Sequence, residues 1–183
     1  MDKDELSGRD RPLIAVTPES ATSVALARLL VPKACTEPFQ QVEDYREAFE
    51  EGSCQGVLLI GDKALQPPAW LNGSQAHDLS LWWLEMTGLP MTFAVWVARR
   101  ELPETALLEA EAILRRSLQW GQDNWERVLE VGCARSTLSA ERLNAYWQGI
   151  RFPVTEQSEL GFQEFRSRLC PHKGKSPATL SGA

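Results

Sequence analysis

The sequence predicts an α/β fold that gives way to helices in its second half. Two short apolar runs of strand length, "LIAV" (13–16) and "GVLLI" (56–60), alternate with segments of helical spacing. Each run ends in a turn rich in hydroxyl or glycine residues, "TPESATS" after the first and "GD" after the second. Beyond Pro103, apolar residues recur three and four apart. Alternating strands and helices imply a parallel sheet, whose ligands sit beyond the C-terminal ends of its strands. Both turns fall there.

Taken in order, residues 1–11 read as a flexible polar lead. Residues 13–16 form a strand and 21–31 a helix, striped by Val24, Leu26, Ala27 and Leu30 and stopped by Pro32. The connector "KACTEPFQQ" has room for a short strand, and "VEDYREAFEEG" reads as a second helix closed by Gly52. After "GVLLI", the stretch "KALQPPAWLNGSQA" is a loop by its Pro, Gly and Asn content. "DLSLWWLEMTG" is a helix with Asp78 as cap and Gly88 at its end. "LPMTFAVWVARR" gives a third apolar strand that leaves this lobe. Then come three apolar stripes: Leu107, Ala110, Leu114 and Leu118; Leu143, Tyr146, Trp147 and Ile150 behind the cap Ser139; and Phe162, Phe165 and Leu169. The tail 171–183 is small and polar and is expected to be disordered. The division is therefore a lead (1–11), an α/β lobe (12–91), a strand with helices (92–170) and a tail (171–183).

Composition narrows the function classes. Hydrophobic residues make up 43% of the 183, enough for a packed core. The net charge of −6 argues against a nucleic-acid surface. No apolar run is long enough to span a bilayer, and the start "MDKDELSGRDRP" carries no apolar signal segment, so a cytoplasmic protein is expected. The four cysteines (Cys35, Cys54, Cys133, Cys170) form no C-x-x-C pair, and His77 and His172 are the only histidines. Reduced thiols without a metal site are the expectation. Seven tryptophans are many for this length, and most should fill the core or a groove.

The turn "TPESATS" carries two readings. Thr17, Ser20, Thr22 and Ser23 crowd a helix start, where several N–H groups lack partners. Ser20 satisfies one of them as an N-cap, with Pro18 stiffening the approach. Alternatively, the hydroxyls, the spare N–H groups and the positive helix end bind an anion together.

Four blocks occur in order: "TPESATSVALARLL", "GVLLIGDKAL", "DLSLWWLEMTGLPMTFAVWVARR" and "YWQGIRFPVTEQSELGFQEFR". Together they resemble the MqnA/MqnD family of menaquinone biosynthesis, from about Leu13 to Leu169. The core W-x-E-x-T-G-L-P-x-x-F-A-V-W is similar to the dehydratase branch rather than the sibling cyclase. The resemblance implies a periplasmic-binding-protein-like fold of type 2, with two α/β lobes facing across a ligand cleft. It also implies a cytoplasmic lyase that takes water from chorismate to give 3-[(1-carboxyvinyl)oxy]benzoate, without metal or organic cofactor. Family members carry a long segment ahead of the "TPESATS" block, so the first lobe is expected to be incomplete here. Exposed apolar helices, self-association and little activity of the chain alone follow as expectations.

For that chemistry the expected substrate-binding residues are Ser20, Ala21, Thr22, Ser23 and Asp62. The first four would hold a carboxylate at the helix end. Asp62 would contact a substrate hydroxyl, or else cap the helix starting at Lys63. Lys63 reads as a solvated charge, Glu85 as a structural carboxylate, His77 as a turn residue, and Thr87 and Gly88 as hinge or cleft elements. No catalytic base is assigned. The competing readings are a ligand-binding module of the same fold without chemistry, the sibling cyclase, and a fragment without function.

Overall fold

The computed structural model describes residues 13–17, 19–31, 40–41 and 45–170. The lead 1–11, the tail 171–183, Pro18, Pro32, Cys35 and His172 lie outside them. Three short strands, β1 (Ile14–Val16), β2 (Gln40–Gln41) and β3 (Gly56–Val57), form a parallel sheet in the order β2-β1-β3. Ala15 is opposite Gln40 on one side and Val57 on the other. The run "GVLLI" is shorter as a strand than its apolar length suggests. Its pairing ends where the Leu58 N–H donates to the Ala15 carbonyl at 2.8 Å, because β1 itself ends at Val16.

Helix α1 (Ala21–Leu30) follows β1 and buries two faces. Val24 and Ala27 pack with Val16 and Leu58, flanked by Ile14 and Leu79. Leu26 and Leu30 pack with Trp83 and Phe165. Next come α2 (Tyr45–Glu50), which Gly52 follows with φ 72°, and the single turn α3 (Asp62–Leu65). A 3-10 turn over Ala69–Leu71 lies within the expected loop. Helix α4 (Leu79–Thr87) starts and stops where the sequence indicates. The Asp78 carboxylate accepts the N–H and the hydroxyl of Ser80 at 2.7 and 2.6 Å, and the Leu81 N–H at 3.3 Å. At the other end Gly88 takes the left-handed conformation (φ 72°), which a residue without Cβ adopts without strain.

The second half is helical: α5 (Glu104–Asp123), α6 (Trp125–Arg135), α7 (Ala140–Gln148) and α8 (Glu156–Leu169). Helices α6 and α7 meet through an edge-on pair of Trp125 and Trp147, 5.8 Å apart, and the Trp125 Nε1–H donates to Asn144 at 2.8 Å. Ser139 caps α7 as expected, and Thr155 with Ser158 closes a capping box on α8. Helix α8 returns to the α/β lobe. Phe165 enters its core, Gly161 lies against the Pro90 carbonyl, and the Thr92 hydroxyl donates to the Ser158 carbonyl at 3.0 Å. The sequence boundary at 91/92 does not anticipate this return.

One expected element differs. "LPMTFAVWVARR" forms no strand. Phe93, Val95, Trp96 and Val97 are 45, 37, 84 and 86% exposed. A strand exists only through ladder bonds to a neighbour, and no other strand pairs with this segment among the described residues. Helices α5 and α6 likewise bury no residue, and Leu108, Ile113 and Trp120 of α5 are exposed. Of the tryptophans expected in the core, Trp83 is fully buried, whereas Trp96 and Trp120 are not.

Two helix glycines make opposite predictions. A Cβ at Gly161 would collide with the Pro90 carbonyl. Gly161→Ala should therefore lower stability by about 1–3 kcal/mol. Nothing lies within 4 Å of a Cβ at Gly121 in α5. Gly121→Ala should raise stability by up to about 1 kcal/mol. Denaturant titration of both variants checks the pair, and equal effects would contradict the contact.

Asp78 sets a pH signature. Burial raises its carboxyl pKa, but the bonds from the Ser80 hydroxyl, the Ser80 N–H and the Leu81 N–H outweigh that and hold it below the usual carboxylate value. A depressed folded-state pKa contributes stability that is present above the unfolded value and lost as pH falls through the folded one. Asp78→Ala should cost about 1 kcal/mol at neutral pH. In melts across pH, the gap from the unsubstituted chain should shrink once pH drops below the ordinary carboxylate range. A gap that stays constant into acid would refute the charged cap.

Candidate functional site

The turn after β1 is built from hydroxyl contacts. Thr17 is buried, and its hydroxyl accepts the Glu19 N–H at 3.1 Å. Ser20 is extended (φ −140°, ψ 94°) and caps α1. Its oxygen accepts the Ser23 N–H at 3.1 Å, and its hydroxyl donates to the Ser23 oxygen at 2.8 Å. Ser20 and Thr22 are half-buried, Ser23 is buried and Ala21 is exposed. Capping thus accounts for Ser20. Ser23 accepts from Ser20 and so keeps its own hydroxyl proton for another acceptor.

The same geometry suits an anion. Ala21 and Thr22 are the first two residues of α1, where backbone N–H groups have no partner inside a helix. No acidic residue lies in the first turn of α1 to neutralise its positive end, although the exposed Glu19 precedes the cap. Position in the sheet adds to this. In the order β2-β1-β3 the chain passes from β1 to β2 on one side, then crosses back to β3 on the other. The topological switch point lies between β1 and β3, and crevices at such points take ligands in open parallel sheets.

Asp62 follows β3 at this same end of the sheet, so both expected substrate-binding turns leave adjacent strands. It is exposed. As a cap the expectation is corrected: Gly61 (φ 58°) is the N-cap of α3 and Asp62 its first residue, one position too late to cap. The turn needs positive φ at the cap, which glycine supplies. Thr87 is a closing element of α4, donating to the Trp83 carbonyl at 2.8 Å and accepting the Leu89 N–H at 3.2 Å. Glu85 and Lys63 are exposed, and His77 packs beside Trp82 at 5.9 Å. Cys54 is buried; burial pushes its thiol pKa up against hydrogen bonds to the backbone of Ala15 and Gly56, so it is not poised as a nucleophile. Among the described residues, no three His, Cys, Asp or Glu side chains cluster as metal ligands.

A separate cavity of about 370 Å³ is lined by Gln66, Pro67, Thr137, Leu138, Ser139 and Arg142. The Thr137 hydroxyl meets Gln66 there at 3.4 Å, joining the loop after α3 to the α6–α7 turn. None of the expected site residues lines it. Sequence reasoning missed this junction because its two sides lie 71 residues apart.

A family profile described as menaquinone biosynthesis matches residues 2–170. The chain belongs to that family. Two relatives from Thermus thermophilus accord with this. One is a chorismate dehydratase, 33% identical over 173 residues, covering 85% of this chain and 62% of the relative. The other is a 1,4-dihydroxy-6-naphtoate synthase, 28% identical over 114 residues, covering 60% of this chain and 42% of the relative. This member of the family therefore spans less than two thirds of the length of either. Among the described residues, no helix is long and apolar enough to cross a membrane.

The capping geometry predicts a stability effect independent of any ligand. Ser20→Ala removes the acceptor for the Ser23 N–H and should destabilise the chain by about 1 kcal/mol. Ser20→Asp, which keeps a capping oxygen, should restore most of it. Thermal melts of both variants measure this, and an unchanged Ser20→Ala melt would remove the cap from the account.

Proposed function

We propose that the chain carries chorismate dehydratase chemistry, in which the "ESATS" turn holds a substrate carboxylate. The observation that carries the reading is the placement of a hydroxyl-lined helix N-terminus at the switch point between β1 and β3. Greater identity and coverage with the dehydratase than with the naphtoate synthase favour this branch over the cyclase. Ser20, Ala21, Thr22 and Ser23 are the carboxylate-binding residues in this proposal, and Asp62 contacts the ring hydroxyl from the next strand.

The reaction asks little beyond positioning. The C–O bond to the ring hydroxyl breaks, a neighbouring ring proton is lost, and the two leave together as water while the ring becomes aromatic. Aromatisation drives the step, so the protein's work is to bind, orient and help move the proton. A charge-assisted hydrogen bond to a carboxylate is worth roughly 1.5–3 kcal/mol, enough to anchor one end of a dianion on a chain of net charge −6. A cytoplasmic setting and a two-lobed, periplasmic-binding-protein-like cleft of type 2 complete the proposal. The parallel sheet supports the α/β lobe of that fold, and the uncovered Phe93–Val97 segment supports an incomplete first lobe. The exposed apolar positions of α5 support self-association of the isolated chain, measurable by sedimentation.

Two kinetic outcomes test the reading, with chorismate consumption and the carboxyvinyloxy-benzoate product followed by chromatography. This chain alone should turn over chorismate slowly or not at all. A fusion to the portion of the Thermus dehydratase without counterpart here should restore turnover, because closure between lobes excludes water and completes such sites. Turnover by this chain alone as fast as by an active fusion would place the whole machinery within this chain and overturn the incomplete-lobe proposal.

In the fusion, Ser20→Ala combined with Ser23→Ala should lower kcat/KM for chorismate by about tenfold or more, near 1.4 kcal/mol. Unchanged kinetics with only a lower Tm would reduce the turn to a cap.

A further inference from the structure

We draw no further inference here: the strongest candidate, the exposed apolar segment Phe93–Val97 together with the uncovered apolar positions of α5, carries nothing because nothing in the structure shows what covers it.

Discussion

Helix α1 must bury two faces at once, and the rest of the described structure is arranged around that need. Val24 and Ala27 close over Val16 and Leu58 of the sheet side, while Leu26 and Leu30 face Trp83 and Phe165. A fully buried side chain such as Leu26 contributes about 1.5–3 kcal/mol. The second face recruits α4 and α8 across more than 130 residues of sequence, and α8 reaches it because Gly161 lets the helix approach the Pro90 carbonyl. Trp83 is the centre of this contact. Its ring meets Phe165 edge-on at 5.8 Å and the Arg168 guanidinium at 5.5 Å. Among the described residues its buried indole N–H has no hydrogen-bond partner, a penalty of about 1–3 kcal/mol that the packing offsets.

Anchoring α1 on both sides fixes where its N-terminus points. At the β1–α1 turn Thr17 is buried, and Ser20 and Ser23 bond to each other at the start of the helix. Capping and the proposed anion binding are compatible uses of the same hydroxyls. The cap occupies one Ser20 lone pair and its proton, and the positive helix end is still presented beyond the sheet.

The second half of the chain is held differently. Its helices are locally sound, with the Thr155–Ser158 capping box, the Ser139 cap and i,i+4 ion pairs such as Glu111–Arg115. Such pairs at the surface add only tenths of a kcal/mol. What α5 and α6 lack is depth: neither buries a residue, and α5 runs for 20 residues. Helix formation here follows from propensity and capping, and the apolar stripe that would normally add tertiary support stays partly open.

Local chemistry was legible in the sequence. Ser20, Asp78 and Ser139 cap helices because a short oxygen-bearing side chain before an apolar stripe has little else to do, and Gly88 ends α4 for want of a Cβ. The hydroxyl turn and the four ordered blocks also pointed to the family that residues 2–170 match. Tertiary structure decided what depends on neighbours far along the chain. The run "LPMTFAVWVARR" (89–100) reads as a strand, yet a strand requires a partner, and none pairs with it among the described residues. The return of α8 to Trp83 and the meeting of Gln66 with Thr137 join residues 82 and 71 apart, beyond any periodicity. Above all, the order β2-β1-β3 was not written in the runs themselves. Hydrogen bonding of β1 to both neighbours set it, and that order brings two turns to one edge of the sheet, where the proposed ligand site lies.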